Sequence, residues 1–471
     1  MAAARSATAS VALLIGVATP ILFVVGALRH FVVRSTAYDL AIFDQATYLI
    51  SIGAPPISSI MGMHILGDHA APIWYPLALS YVVYPSVYLL LFIQALGLAL
   101  GAWPTYLLAR DAGLSPDQAR LMATVYLLYP TVFKICGFDF HPEVLAVPAL
   151  LATVYAARRQ HFGWFCAGVV VILSCKGILA LTVFGMGLWL LTCERRPLYG
   201  VVAGVAGLVW FGIATLLIVP YYTGADAAQV MGDSRYAELG ATLPEIVHTV
   251  VTRPHVLFAQ VWSRHTLVYL LLLASPVAWG LAPRHLAPLL AVAPQVMLNV
   301  LSTVAAQRSL AFQYQLPIVP FLMLAVLSAA AAGDLWIQDR RRILAWSVVA
   351  FILCSQPGNF VRYAATLETW AATRAALARL PPDAAVFTDN CIAPQISQRA
   401  HLYIPLREWS TGRIPDVDYA LFNTRHPCDI APGTLAHVVN TLRHSASFQI
   451  VSEENGVVLF QRSATAAASF E

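Results

Sequence analysis

Asp39 and Asp44 lie five residues apart in Tyr38-Asp39-Leu40-Ala41-Ile42-Phe43-Asp44-Gln45, just beyond the first long apolar run of a 471-residue chain. His64, Asp68 and His69 follow in the same polar stretch. Phe138-Asp139-Phe140-His141-Pro142-Glu143, Lys176 and Arg308 come later. Charged groups near membrane depth are costly unless they pair or face a wet cavity, so they mark a functional site by default. A carboxylate held against a hydroxyl can take its proton. A lysine or arginine can stabilise a departing phosphate. The chemistry this set could do is sugar transfer from a lipid phosphate, with Asp39 or Asp44 as the base and Lys176 and Arg308 at the phosphate. His64, Asp68, His69, Asp139, His141 and Glu143 would line the substrate pocket.

Two other readings of the same residues stay open. They could form a structural ion-pair network that seals the outer mouth of the protein. They could also hold a divalent metal, since Asp68, His69, His141 and Glu143 offer nitrogen and oxygen ligands. Neither spacing is a zinc signature, however, and the Pro142-Glu143 pair equally suits the first turn of a helix. No cofactor is otherwise implied. The chain has no phosphate-cradling glycine loop and no nucleotide motif, which argues against a nucleotide-sugar or ATP-driven enzyme. A net charge of +4 gives no reason to expect a nucleic-acid partner.

The elements that must position these residues are mostly apolar. Hydrophobic residues make up 59% of the chain and charged ones 11%, against roughly a quarter charged in soluble domains. Many runs are long enough to cross a hydrocarbon layer of about 30 Å. The expected fold is an α-helical polytopic membrane protein with about eleven spans: 11–33, 86–109, 121–137, 143–157, two short helices within 162–193, 198–220, 265–282, 286–304, 312–332 and one ending near 355. The block 162–193 is interrupted at Ser174-Cys175-Lys176-Gly177, and basic pairs flank both of its ends. This predicts that it goes out and comes back, with Lys176 at the turn. Ser115-Pro116 marks a helix start. The stretch 74–85, aromatic and broken by prolines, suits an interfacial helix.

The positive-inside rule gives one orientation. With the N-terminus cytoplasmic, Arg110, Arg120, Arg158, Arg159, Arg195, Arg196, Arg284 and Arg340 to Arg342 all fall inside. The acidic loop 34–72, Asp139, Glu143, Lys176, Arg308 and a second polar loop, 221–264, with Asp226 and Asp233, fall outside. Residues 1–355 form the membrane domain. Residues 356–471 change character, with strand-like runs at 385–389, 419–422 and 456–460 and helix-like stretches between or before them, and read as a small extracytoplasmic α/β domain. Seven cysteines are scattered without a CxxC pair. Cys391 and Cys428, the only two in the tail, either pair or stay free thiols. The expected location is the plasma membrane, with membrane lipid as a partner.

Several motifs, in order, carry a resemblance. They are Tyr38 to Gln45, Gly67-Asp68-His69, Phe138 to Glu143, Cys175-Lys176, Gln313-Tyr314-Gln315-Leu316-Pro317-Ile318-Val319-Pro320-Phe321, and Leu380-Pro381-Pro382-Asp383-Ala384-Ala385-Val386-Phe387. Together they resemble an uncharacterised family of bacterial polytopic membrane proteins, a domain of unknown function. That family is in turn similar to the GT-C glycosyltransferases, which use polyprenyl-phosphate sugars and keep an essential aspartate in the first outer loop. The resemblance implies a GT-C-like fold and an inverting transfer to a cell-envelope glycan, lipid or protein. It also implies Asp39 or Asp44 as the base, Lys176 near the donor phosphate and Tyr314 in the substrate pocket. The rival expectations are a transporter or flippase of lipid-linked material, which predicts broken helices in both halves, and a non-catalytic membrane scaffold.

Overall fold

The computed structural model describes residues 2–224, 235–236, 238–240, 243–405, 413–428 and 430–463. Asp226 and Asp233 of the second polar loop lie outside them. Among the described residues, four helices are long and apolar enough to cross a membrane: Ala9–Phe31, Val87–Asp111, Pro197–Thr223 and Gln313–Ala332. The pair Pro254–Val261 and Arg264–Gly280, bent by 54°, makes a fifth if it is one span. The expected eleven are therefore not reached by length and composition. Fourteen-residue helices such as Phe162–Cys175 and Leu179–Thr192 rise about 21 Å, short of the roughly 30 Å hydrocarbon layer.

The chain forms two compact units. The first comprises 1–23, 66–73 and 92–357. Local chemistry explains where its helices begin and break. Ser115 caps Pro116–Leu127 through a capping box with Gln118, with proline in the first turn, which satisfies two otherwise orphan amides. The expected span 121–137 is divided at Pro130, where a new helix, Pro130–Cys136, begins. The expected span 286–304 is likewise divided into a 3-10 stretch, Ala287–Val292, and the helix Ala293–Leu301, each with proline in its first turn. Proline lacks an amide hydrogen and cannot continue the α-helical ladder. Gly101 marks the joint between Val87–Leu100 and Ala102–Asp111. A Cβ there would collide with the Tyr126 hydroxyl, which donates to the Leu98 carbonyl at 2.7 Å.

The apolar block 162–193 divides where a lysine interrupts it. Lys176 is extended (φ −168°, ψ 136°) between the helices Phe162–Cys175 and Leu179–Thr192. Basic residues beside these helices are paired: Arg158 with Glu194 at 2.8 Å and Arg159 with Asp111 at 3.3 Å. Asp117 pairs with both Arg120 and Arg340. Helix Pro197–Thr223 leaves Val201, Val205, Leu208, Val209, Leu216 and Leu217 exposed, the apolar surface expected against lipid. Gln313–Ala332 is instead mostly buried within the protein.

The second unit comprises 24–65, 74–91 and 358–471. A short ribbon pairs β1 (Ile57–Ser58) with β2 (Met63–His64). Five more strands, β3 (Val386–Thr388), β4 (Leu402–Tyr403), β5 (Tyr419–Asn423), β6 (Phe448–Glu454) and β7 (Val457–Arg462), form a sheet in the order β4-β3-β5-β7-β6. β3 is parallel to β4 and β5, and β5, β7 and β6 run antiparallel in turn. Asn455 and Gly456, both at positive φ, close the β6–β7 hairpin as a primed turn requires.

Period-two alternation assigns the faces of this sheet. Phe422, Phe460 and Val458 pack with Leu435, Val438 and Leu442 of helix Pro432–His444. Leu421, Leu459 and Val457 pack with Ala372 and Ala376 of helix Leu367–Leu377. Each large side chain buried here contributes roughly 1.5–3 kcal/mol. Cys391 and Cys428 are joined as a disulfide, with Cα atoms 5.6 Å apart.

Candidate functional site

In the second unit the acidic stretch begins with a π-helical turn, Ala37–Ala41, followed by helix Ile42–Ser51. Single π turns recur at functional positions. Asp39 lies on this turn and is partly exposed. Asp44 has no exposed surface. Its Oδ1 accepts hydrogen bonds from the Tyr81 hydroxyl (2.6 Å) and Gln398 Nε2 (3.2 Å). Its Oδ2 accepts one from the Ser397 hydroxyl (2.6 Å). Burial pushes the Asp44 carboxyl above its ordinary value, and these three donors pull it back in part.

The neighbouring residues are tied to the same segment. Asn390 Oδ1 accepts the Ala37 amide at 2.9 Å. Gln45 donates to Ser59 Oγ at 2.8 Å and to the Arg399 carbonyl at 2.9 Å. Ser59 Oγ in turn donates to the Leu402 carbonyl and accepts its amide, both at 2.8 Å. Asp389 anchors that segment, accepting the amides of Cys391, Ile392 and Asn423. Burial pushes its carboxyl up to about 6. His64 sits on β2 opposite Ile57, and partial burial lowers its imidazole.

In the first unit the centre is Lys176. Its ammonium donates to Glu143 Oε1 at 2.7 Å, both groups being largely buried. Glu143 opens helix Glu143–Arg158, where a negative charge favours the dipole. Among the described residues, its second oxygen, Oε2, is buried without a hydrogen-bond partner. Beside the lysine, the Gly177 amide donates to the His69 carbonyl at 2.8 Å and the Ile73 amide to Ser174 at 3.0 Å. These bonds fix the turn between the two short helices. A side chain at Gly177 would press on Ala70, Ala214 and the His69 carbonyl.

His69 contacts Asp68, 3.3 Å from its Oδ1. Burial first, and then Lys176, lower its imidazole against the opposing pull of Asp68 and Glu143. His141 is fully buried. Its amide donates to Gln94 Oε1 at 3.2 Å, its Nδ1 lies 3.0 Å from the Asp139 carbonyl, and its ring stacks on Phe138.

The Tyr314 ring lies 6.0 Å from the Lys176 ammonium. The Arg235 guanidinium is 5.7 Å from the same ring and donates to the Tyr314 hydroxyl at 3.1 Å. Arg308 donates instead to the Val300 carbonyl at 3.1 Å, near the C-terminus of helix Ala293–Leu301, where a cation is favoured.

The first unit thus brings together Lys176, Glu143, His69 and Tyr314, with Arg308 at a helix end. Asp39, Asp44 and His64 belong to the second unit. Among the described residues, no three His, Cys, Asp or Glu side chains form a group that could hold a metal ion. At Glu143 the neighbouring cation is the lysine itself.

Arg235 was missed in the sequence, although a signal existed. It is the only basic residue other than histidine between Tyr221 and Thr252, in a stretch with four acids. Tyr81, Ser397 and Gln398 carry no local signal, because only the fold brings them to Asp44.

No curated protein matches the chain. Solved structures do, among them ArnT from Cupriavidus metallidurans bound to undecaprenyl phosphate and the same protein in the apo state. Each has 13% identity and a TM-score of 0.56. The first match covers 97% of this chain and 99% of ArnT, the second 98% and 99%. At that identity the likeness concerns the fold, and the expected resemblance to the GT-C fold is met. The family model described as "Predicted membrane protein (DUF2079)" matches residues 29–459, and the chain belongs to that family of membrane proteins.

Proposed function

We propose that the protein is a membrane-embedded glycosyltransferase. It moves a sugar from a polyprenyl-phosphate donor to a cell-envelope acceptor, a glycan, lipid or protein, on the outer face of the plasma membrane. The observation that carries this reading is the likeness of nearly the whole chain to ArnT, which binds undecaprenyl phosphate in one of the two structures. The orientation that goes with it has the N-terminus cytoplasmic and the acidic loop and the C-terminal α/β domain outside.

In this reading Asp39 is the base. Asp44 is the weaker candidate because three donors already occupy its oxygens and it has no exposed surface. Asp39 takes the proton of the acceptor hydroxyl, whose oxygen attacks the anomeric carbon. The carbon–oxygen bond to the phosphate breaks, and its electron pair leaves with the polyprenyl phosphate. A single displacement inverts the anomeric centre. Lys176 and Arg308 offset the charge that develops on the leaving phosphate. Asp68, His69, Asp139, His141, Glu143 and Tyr314, all of the first unit, line the donor pocket.

The bent helix pair at 254–280 favours the rival reading of a lipid transporter, which uses interrupted helices. Purified protein in lipid, offered polyprenyl-phosphate sugars and nucleotide sugars with an envelope extract, separates the two. Transfer from a lipid-linked donor only is the expected result. Movement of the donor across the bilayer without transfer, or transfer from a nucleotide sugar, contradicts the proposal.

A further inference from the structure

We infer that Arg235 is the principal phosphate-binding residue of the lipid-donor site, holding the phosphate from the second polar loop with Tyr314 and Lys176. The inference rests on the polyprenyl-phosphate reading above and adds a residue to it. Of the expected phosphate ligands, Lys176 already has a counter-charge and Arg308 makes its contact elsewhere. The Lys176 charge is largely met by Glu143 at 2.7 Å, so the pair presents little net charge to an anion. Arg308 also keeps spare donors, but its described side-chain contact is the Val300 carbonyl at a helix end and not Tyr314.

Arg235 differs from both. Among the described residues no carboxylate pairs with it, and its described side-chain contacts are to the Tyr314 ring and hydroxyl. A guanidinium keeps spare donors when one nitrogen is used, and its planar fork suits phosphate oxygens better than an ammonium does.

Its position is also fixed without using the side chain. The Arg235 carbonyl accepts the Thr303 amide at 2.8 Å and the Thr303 hydroxyl at 3.2 Å. The adjoining Tyr236 hydroxyl reaches the Leu298 carbonyl at 3.4 Å. The backbone is therefore pinned to the end of helix Ala293–Leu301, while the side chain stays partly exposed. One aromatic ring has two cations against it, at 5.7 and 6.0 Å. Subtracting the Glu143 carboxylate leaves a net positive charge beside Tyr314, the condition an anion site needs. Because none of these anchoring bonds uses the Arg235 side chain, changing it leaves them intact.

The test measures binding by full-length protein in nanodiscs of neutral lipid. The probes are undecaprenyl phosphate, uncharged undecaprenol and inorganic phosphate, with wild type, Arg235→Gln and Arg235→Lys. The inference expects Arg235→Gln to weaken undecaprenyl phosphate at least tenfold and to leave undecaprenol unchanged. Arg235→Lys should recover part of the loss, and inorganic phosphate should neither bind tightly nor compete at millimolar levels.

Three results would each overturn it. One is equal binding of undecaprenyl phosphate by Arg235→Gln and wild type. Another is a parallel loss of the phosphate and the alcohol, the mark of a structural role. The third is an Arg235-dependent site for inorganic phosphate to which the lipid is indifferent. If the lipid phosphate binds through Arg235 but no sugar is transferred, the transferase reading fails and this inference stands.

Discussion

Asp44 and Glu143 are both buried carboxylates that the sequence marks as chemistry, yet each unit holds its acid differently. Glu143 meets a lysine ammonium at 2.7 Å. Asp44 meets two hydroxyls and a carboxamide, none of them a cation. A buried charge paired with a counter-charge depends on that partner. A carboxyl among neutral donors has no such counter-charge: burial pushes Asp44 upward, and its three donors oppose this in part. Burial alone therefore does not identify a catalytic acid, and the identity of the partners divides the two cases. Asp389 belongs with Asp44, since its three donors are backbone amides.

The sharpest break of this contrast is at the ion pair. Glu143→Gln or Lys176→Met should each destabilise the protein by about 3–5 kcal/mol by leaving one buried charge alone. The double substitution Glu143→Leu with Lys176→Met should recover most of that. Unfolding in graded denaturant checks it, and two additive losses would mean the pair is not coupled.

Next comes pH. The folded-state value of Asp389 lies near 6, above an unfolded value of about 3.9. The folded protein therefore binds the extra proton. Stability from this group is fully present below about pH 4 and is lost as pH rises to 6, by about 3 kcal/mol. Asp44 acts in the same direction. Asp389→Asn should flatten the melting temperature across pH 4 to 6, and an unchanged slope would assign it to other groups.

Asp44→Ala should cost about 1–3 kcal/mol by leaving buried hydroxyls without an acceptor. Asp44→Asn should cost less, because the Tyr81 and Ser397 hydroxyls can turn to suit an amide. If Asp44→Asn proved as damaging as Glu143→Gln, the charge of Asp44 would matter and the contrast would collapse. The smallest effect is expected at the exposed Arg443–Glu453 pair. Glu453→Gln should change stability by less than about 1 kcal/mol, and less still at high salt.

Much of the first unit was legible because the signals are local. A lysine inside an apolar block predicts the break at Lys176, and Ser115-Pro116 predicts a helix start. The expected eleven spans are not confirmed where hydropathy and backbone chemistry disagree. The stretch 286–304 is apolar enough to cross, but its prolines divide it. In the sheet, β3, β5 and β7 are apolar and stand out, whereas β4 is two residues long and β6 is largely exposed. The partners of Asp44 could not be read at all, since Ser397 lies more than three hundred residues away. Nor could the sequence choose between Asp39 and Asp44, which differ in surroundings and not in type.

The most direct measurement is sugar transfer by purified protein in lipid, with Asp39→Asn and Asp44→Asn beside the wild type. The account predicts that Asp39→Asn loses about 10²–10⁴-fold in turnover, the usual worth of a general base, while donor binding is retained. Asp44→Asn should keep most of its turnover once matched for folded protein. Full activity in Asp39→Asn, with loss in a well-folded Asp44→Asn, would contradict it and make the buried acid the base.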